Sequence, residues 1–240
     1  MVTRLSGVVA EARDPSLVAR FWAELLGWRR MPGESGAVRV SPTEGDASVW
    51  DLVVVPSPRE KQAKNRIHVD LASASAGEQR SLVDRALRIG ATRADIGQGD
   101  LPWEVLADPE GNEFCVLEPR PEYADTGPVA AVVLDARDPH RLGRFWAAVT
   151  GWEIVRQETE FVSLGAPGGR GPWLEMLRNE QAPPPLNRWW FELATDNGAD
   201  REARRLRELG AEPAGADDSV SPRFTDPEGN AFSVVALVPR

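Results

Sequence analysis

The amino-acid sequence predicts an α+β protein built as two tandem domains, and two observations carry this prediction. The first is an internal repeat, in which Glu11–Trp28 (EARDPSLVARFWAELLGW) matches Asp135–Trp152 (DARDPHRLGRFWAAVTGW). The second is the order of elements in each half, where strand-like runs alternate with amphipathic helices. We therefore predict domains at 1–120 and 128–240, joined by a linker at 121–127 in a Pro-rich, acidic segment.

Each half contains two copies of a smaller unit. This unit has one strand, one helix and two or three further strands. Asp14 and Pro15 are typical of a helix start and Gly27 of a helix end, on either side of an amphipathic stretch. A second helix is predicted in each half, near 77–88 and near 199–209. Runs such as SGVVAEA and RIHVDLA, which precede the helices, are typical of strands.

Composition limits the classes of function. The net charge of −9 argues against nucleic acid and anionic membranes as binding partners, because both bind clusters of Lys and Arg. The single cysteine rules out an internal disulfide and a cysteine-only metal cluster, and no N-terminal apolar run is typical of a signal peptide or a membrane span. We expect a cytoplasmic protein, a monomer or a homodimer, whose partner is a small molecule.

Three features together resemble one known superfamily. They are a helix ended by Gly-Trp, the turn Asp-Pro-Glu-Gly-Asn at 108–112 and 226–230, and the run KNRIHVDL at 64–71. The chain resembles the vicinal oxygen chelate superfamily, the glyoxalase, bleomycin-resistance and extradiol dioxygenase group, over nearly its whole length. It is most similar to the tandem-domain, glyoxalase-like branch common in actinobacteria. The resemblance implies βαβββ modules, two per domain, that form a curled sheet with helices on the convex side and a ligand in the concave cup.

Strand alternation predicts which side chains face this cup, because residues two apart share a face of a strand. His68 and Asp70 should face it from one strand, and Cys115 and Leu117 from another. We expect the first domain to hold the working cup, because Trp190 replaces His68 in the second. The predicted ligand-binding residues are Trp50, Leu52, Trp103, Cys115, Leu117, Trp173, Trp190 and Glu192.

The resemblance also implies metal ligands on four strands of the modules, typically His or Gln, Glu, His and Glu. The corresponding positions here are Gly7, Leu52, His68 and Cys115 in the first half, and Ala131, Glu175, Trp190 and Ser233 in the second. Neither half offers the roughly three protein ligands of a catalytic metal site, so we expect no cofactor within a domain. Docking of the two halves would create one mixed site of Glu175, His68 and Cys115. A divalent metal ion therefore remains an alternative as a cofactor.

Two functions therefore remain open. The first is metal-independent binding of an aromatic or natural-product-like molecule in the cup of the first domain. The second is an enzyme of the lyase, isomerase or dioxygenase type. Such an enzyme would use His68 and Asp70 for acid–base chemistry, since an aspartate can fix the tautomer of a neighbouring imidazole and raise its basicity. Alternatively it would use the Glu175, His68 and Cys115 metal site.

Overall fold

The computed structural model describes residues 3–97, 99–180, 187–214 and 223–237, which form sixteen strands and four α-helices. In chain order these are β1 (Thr3–Ala12), α1 (Pro15–Leu26), β2 (Arg29–Pro32), β3 (Val38–Ser41), β4 (Asp51–Pro56), β5 (Ile67–Leu71), α2 (Ala76–Arg88), β6 (Thr92–Arg93), β7 (Glu104–Ala107), β8 (Glu113–Val116), β9 (Val129–Ala136), α3 (Pro139–Thr150), β10 (Glu153–Gln157), β11 (Phe161–Gly165), β12 (Trp173–Arg178), β13 (Trp189–Thr195), α4 (Ala199–Glu208), β14 (Glu212–Pro213), β15 (Arg223–Thr225) and β16 (Ala231–Ala236). No helix within these ranges is long and apolar enough to cross a membrane.

The helix boundaries follow from their predicted end signals. The Asp14 side chain accepts a hydrogen bond from the backbone N–H of Leu17 and so caps α1, with Pro15 in its first turn. Gly27 ends the helix in the left-handed conformation, at φ 72°, which a residue without a Cβ adopts at little cost. Asp138 and Gly151 repeat this arrangement around α3.

The strands form two eight-stranded curled sheets, which together with the four helices confirm the α+β class. The first sheet has the strand order β14-β15-β16-β13-β1-β4-β3-β2, and the second has the order β10-β11-β12-β9-β5-β8-β7-β6. Each sheet therefore takes four strands from each half of the chain. The ranges 1–120 and 128–240 remain our proposal for the limits of the sequence repeat.

This pairing of modules corrects our expectation that the two modules of one half share a cup. β1 pairs antiparallel with β13, and β5 pairs antiparallel with β9, so each sheet is centred on a contact between the halves. The four strands β1, β5, β9 and β13 are the equivalent first strands of their modules. Each of these strands has the same kind of unpaired edge. The sequence of one strand therefore does not decide which of the other three it pairs with.

One apolar core is shared by the helices and both sheets. The Trp22 ring of α1 lies 6.1 Å from Trp189 of the first sheet and 5.1 Å from Phe114 of the second, measured between ring centroids. Trp146 of α3 packs against Phe191 and Phe232 of the first sheet, at 4.9 and 5.3 Å between ring centroids. Loss of a buried aromatic ring of this kind costs about 3–5 kcal/mol. The opposite faces of the sheets carry two smaller apolar clusters, one in each cup.

The repeated Asp-Pro-Glu-Gly-Asn turn is held by its first residue. Asp108 accepts hydrogen bonds through Oδ1 from the backbone N–H groups of Glu110, at 2.9 Å, and Asn112, at 3.0 Å. Its Oδ2 accepts from the indole Nε1 of Trp22 at 3.2 Å, which ties the turn to helix α1. Asp226 makes the same bonds in the second half, with Trp146 in place of Trp22.

The glutamate of each turn connects separate modules. Glu110 accepts from the backbone N–H groups of Arg13 and Asp14 at the start of α1, at 2.9 and 2.7 Å, and from Nη2 of Arg188 beside β13 at 2.8 Å. A carboxylate is also favoured at a helix N-terminus by the helix dipole. Glu228 repeats these contacts with Arg137, Asp138 and Arg66. The turn therefore recurs because each copy joins three modules.

We predict that Asp108→Ala lowers the free energy of unfolding by about 2–4 kcal/mol, because it leaves the Trp22 indole, the buried N–H of Asn112 and the half-buried N–H of Glu110 without their acceptor. Urea unfolding followed by tryptophan fluorescence measures the change. Asp84→Ala, on the exposed side of α2, is the matched control and should change stability by less than about 0.5 kcal/mol. Equal effects of the two substitutions would contradict the role of the turn.

Candidate functional site

The cup of the second sheet contains a cavity of about 400 Å³. Its apolar wall is formed by Ile96, Trp103, Leu117, Val133, Phe161 and Leu177. Its polar lining consists of Lys64, His68, Asp70, Cys115, Arg120, Glu122, Tyr123, Arg156 and Glu175. Both halves of the chain contribute to this site, which we call the second-sheet cup.

Strand register brings the polar floor of this cup together. Val133 of β9 lies opposite Glu175 on one side and opposite His68 on the other. Asp70 lies beside Cys115 in the parallel pair of β5 and β8. Because alternate residues of a strand share a face, all four polar side chains point into the same cup. Glu175 therefore lines the same cup as His68 and Cys115, but the predicted ligand set is changed, because the group with ligand atoms within 4.8 Å of one another is His68, Asp70 and Cys115.

His68 and Asp70 form a buried pair with unmet hydrogen-bonding capacity. His68 Nε2 lies 3.5 Å from Asp70 Oδ1, which is long for a strong hydrogen bond. Among the described residues, neither His68 Nδ1 nor Asp70 Oδ1 has a hydrogen-bond partner, although the two residues are only 7% and 9% exposed. An unsatisfied buried polar atom costs about 1–3 kcal/mol, so a ligand that bonds to these atoms recovers that free energy.

Burial controls the protonation of this floor. Loss of solvent raises the pKa of Asp70, against the opposing effects of His68 and of a hydrogen bond from the Cys115 thiol. Loss of solvent, together with the charge of Asp70, raises the pKa of Cys115 well above its ordinary value. Cys115 is therefore a protonated, unreactive thiol at neutral pH.

Glu175 is held in place by two donors. The Tyr123 hydroxyl donates to Glu175 Oε1 at 3.0 Å, and Ser163 Oγ donates to the same oxygen at 2.9 Å. Burial raises the pKa of Glu175, and the negative charge of Asp70 raises it further. Burial and the neighbouring Glu175 also raise the pKa of Tyr123, so its hydroxyl remains a donor at neutral pH.

Two arginines lie over aromatic rings among the residues that line the cup. The guanidinium carbon of Arg120 is 5.5 Å from the centre of the Trp103 ring, and that of Arg156 is 4.9 Å from the centre of the Phe161 ring. Cation–π contacts of this geometry hold both rings in place. Arg156 also donates to Glu122 at 3.3 Å.

The cup of the first sheet differs at every equivalent position of this floor. Trp190 occupies the place of His68 and packs against Val9 and Val53. Glu192 occupies the place of Asp70 and accepts a hydrogen bond from Ser6 Oγ at 3.3 Å. It also lies 3.7 Å from Arg39, which bonds to Asp51. Three of the charged residues that line the cavity of about 330 Å³ above it, Arg39, Asp51 and Glu192, are therefore paired with one another.

Two predicted cup residues are placed elsewhere by the structure. Trp50 is 1% exposed and packs in the main core, with its ring centre 5.5 Å from that of Trp28. Leu52 is 2% exposed and lies in the same core. Both also belong to the module of the first sheet, so neither can line the cup that contains His68.

A one-residue error in the aligned repeat explains the placement of Leu52. Gly7 lies opposite Asp51 in the pair of β1 and β4, whereas its equivalent Ala131 lies opposite Trp173. Trp173 therefore corresponds to Asp51 rather than to Trp50, and Glu175 corresponds to Val53 rather than to Leu52. A shift of one residue reverses the face of every side chain in a strand.

The other predicted residues divide between the two cups. Trp103, Cys115 and Leu117 line the second-sheet cup with His68 and Asp70. Glu192 lines the cavity of the first sheet, whose floor contains Trp190. Trp173 does not line the second-sheet cavity but supports it, because its ring centre lies 5.2 Å from that of Tyr123.

Several residues of the second-sheet cup were missed by sequence reasoning. They are Lys64, Arg120, Tyr123, Arg156 and Phe161. Tyr123 lies in the linker, which we treated as a spacer, yet it is 7% exposed and bonds to Glu175. It is the single tyrosine of the chain. An aromatic residue in an otherwise polar linker is the signal that could have identified it, because large aromatic side chains are usually buried.

The floor has a donor set that fits a divalent metal ion. His68, Asp70 and Cys115 can each offer one ligand atom, and these atoms lie within 4.8 Å of one another. Three ligands with His and Cys among them suit an open zinc-type site, and the unpartnered Nδ1 and Oδ1 atoms are available to it. Cys115 would have to lose its proton. When bound, such an ion would act as a Lewis acid on a ligand oxygen.

We predict that Glu175→Gln stabilises the protein increasingly as the pH rises above about 4. A carboxyl group whose folded pKa lies above its ordinary value of 4.5 is protonated in both states at low pH, and opposes folding once the unfolded chain ionises. Glutamine keeps an acceptor for Tyr123 and Ser163 but cannot ionise. The gain over wild type, measured by urea unfolding, should grow as the pH rises above the ordinary pKa, level off above the raised folded pKa, and be absent in the exposed control Glu24→Gln. A gain that does not change with pH would contradict the raised pKa.

Solved structures of known proteins share this fold. Glyoxalase I from Zea mays superposes with a TM-score of 0.68 at 16% sequence identity, over 98% of this chain and 92% of that chain. A putative dioxygenase from Bacillus subtilis superposes with a TM-score of 0.61 at 13% identity, over 98% of this chain and 86% of that chain. Likeness at such identities shows the fold alone, since one fold hosts many functions.

The sequence itself gives the family. No curated protein matches the chain significantly. The sequence model of the glyoxalase-like domain, however, matches it twice, at residues 7–117 and 131–235. These matches cover most of both halves and contain the two turns and all four helices. The chain therefore belongs to the glyoxalase-like domain family, within the vicinal oxygen chelate superfamily.

Proposed function

We propose that the protein binds a small organic molecule in the second-sheet cup without the help of a metal ion. The observation that carries this proposal is the pair of buried, unpartnered atoms, His68 Nδ1 and Asp70 Oδ1, on the floor of a cavity with aromatic walls. Ligand sites typically combine apolar walls with a few convergent polar groups, in volumes of about 300–1,000 Å³. The cavity of about 400 Å³ lies within this range.

The walls favour a flat, apolar ligand body. Trp103 and Phe161 line the cavity, and each ring is already positioned by an arginine. Rings whose conformation is fixed before binding lose little side-chain entropy when a ligand contacts them. An aromatic or natural-product-like scaffold therefore suits this space.

The floor favours a ligand group that donates hydrogen bonds. His68 Nε2 faces Asp70, so we assign the imidazole proton to Nε2, which leaves Nδ1 as an acceptor. Asp70 Oδ1 is a second acceptor close by. An amine, amide or hydroxyl group on the ligand would satisfy these atoms.

Three features of the floor support binding without a metal. Cys115 keeps its proton because burial raises its pKa. Glu175 is engaged by Tyr123 and Ser163, so a metal would have to break those hydrogen bonds to gain it as a ligand. Lys64 and Arg120 add positive charge near Asp70, which opposes a cation there.

The second candidate is an enzyme of the lyase, isomerase or dioxygenase type. The cluster of His68, Asp70 and Cys115 on the floor of the cup favours it. His68 and Asp70 could transfer a proton to or from a bound substrate, since the imidazole is the side chain best suited to that task near neutral pH. The His68, Asp70 and Cys115 group could instead hold a divalent ion. A cytoplasmic location, a monomeric or homodimeric state and the lack of nucleic-acid binding remain predictions from composition.

We predict that His68→Ala and Trp103→Ala each weaken binding of a planar aromatic ligand by about tenfold or more, roughly 1.4 kcal/mol. The ligand would come from a thermal-shift screen of aromatic amines and phenols, and isothermal titration calorimetry would give the affinities. Ser233→Ala, at the first-sheet position equivalent to Cys115, is the control and should have little effect. Loss of binding in Trp190→Ala but not in His68→Ala would move the site to the first sheet.

We predict that the purified protein carries no stoichiometric zinc, nickel, iron or manganese. Elemental analysis by inductively coupled plasma mass spectrometry measures this directly. About one divalent ion per chain, lost in both His68→Ala and Cys115→Ala, would instead favour the metal-assisted enzyme. A matched Ser233→Ala sample controls for loss of adventitious metal during preparation.

A further inference from the structure

A second cavity lies against the second-sheet cup. It has a volume of about 550 Å³ and is lined largely by small apolar residues and prolines, among them Ala72, Ala74, Pro119, Pro121, Ala124 and Pro128. We call it the linker cavity, because seven of its eleven lining residues lie at 119–128, in the linker or directly beside it. Arg120 and Tyr123 line both cavities, and we call these two shared residues the partition.

Tyr123 is fixed in this partition by contacts on several sides. Its hydroxyl donates to Glu175 Oε1 at 3.0 Å, and its ring packs edge-on against Trp173 at 5.2 Å. Thr126 Oγ1 donates to the Tyr123 carbonyl at 2.9 Å, which closes the short 3₁₀ turn that carries it. Tyr123 thus borders both cavities while its hydroxyl is bonded to Glu175 on the floor of the cup.

Arg120 completes the partition. Its Nε donates to Glu118 at 2.8 Å, and its guanidinium lies over the Trp103 ring. The partition is therefore continuous with the aromatic wall of the cup.

The linker cavity is suited to an apolar group. Its Ser73 hydroxyl already donates to the Leu117 carbonyl at 2.7 Å. Its Glu78 carboxylate already accepts from the backbone N–H of Ala74 at 2.7 Å. An apolar ligand tail would therefore leave neither of these side chains without a hydrogen-bond partner. Its burial would favour binding by about 0.8 kcal/mol for each methylene group.

We propose that Tyr123 is the residue that sets the length of ligand the protein accepts, because its ring closes the second-sheet cup against the linker cavity. This inference rests on the proposed function of the cup. The ligand class it implies has a flat, hydrogen-bonding head that fills the cup and little or no tail. Removal of the ring joins the two cavities and admits a head that carries an apolar chain.

The test uses 4-ethylphenol and 4-hexylphenol, two phenols whose hydroxyl group can donate a hydrogen bond to the floor of the cup and which differ only in the length of the alkyl chain. Isothermal titration calorimetry of the full chain gives the ratio of the two affinities. In Tyr123→Ala the affinity for 4-hexylphenol relative to 4-ethylphenol should rise by about tenfold or more over wild type, as expected for roughly two further buried methylene groups. Tyr123→Phe keeps the ring and loses only the bond to Glu175, so its ratio should match wild type.

Two further variants complete the design. Tyr123→Leu, which retains apolar packing, should shift the ratio in the same direction and tests the idea even if Tyr123→Ala is poorly folded. An unchanged ratio in folded Tyr123→Ala or Tyr123→Leu would overturn the proposal, as would a shift of equal size in Tyr123→Phe. Binding of 4-ethylphenol that is unchanged by Trp103→Ala would instead count against the proposed function of the cup, because Trp103 lines the cup and not the linker cavity.

Discussion

The antiparallel contact between β5 and β9, repeated by β1 and β13, is the constraint on which the rest of the structure depends. It places His68 opposite Val133, and through β9 it brings Glu175 of the other half onto the same concave face. Without this contact each half would present only part of a polar floor. The site is therefore a property of two modules that are adjacent in sequence but belong to different copies of the repeat.

This arrangement is secured by buried charge in the repeated turns. Arg188 and Glu110 form an ion pair, as do Arg66 and Glu228, and each pair connects the two sheets or their flanking helices. A buried ion pair adds little net stability, because desolvation offsets most of the attraction. A misregistered module would leave one of these charges buried alone, which disfavours other pairings of the modules. The backbone N–H groups at the starts of α1 and α3 donate further hydrogen bonds to these carboxylates.

The duplication has kept the core and changed the cups. Trp22 and Trp146 occupy equivalent places against the turn aspartates, because both helices must pack between the same two sheets. Cup-facing positions do not support that packing, so they are free to differ. One cup has His68 and Glu175 in an enclosed floor with unmet hydrogen bonds, whereas the other fills the corresponding space with Trp190. An asymmetric pair of cups is thus compatible with a nearly symmetric fold.

The sequence by itself determined the α+β class, the four helices, of which α1 and α3 carry Asp and Gly end signals, and the family. It also determined that His68 shares a face with Asp70, because alternation along one strand is a local property. Tertiary structure alone decided which modules pair, since equivalent first strands offer equivalent edges. It also decided the faces of Leu52 and Val53, because a one-residue offset between distant strands is invisible in either strand alone. Tyr123 entered the site only through the path of the linker, which places a residue far in sequence from Glu175 within hydrogen-bonding distance of it.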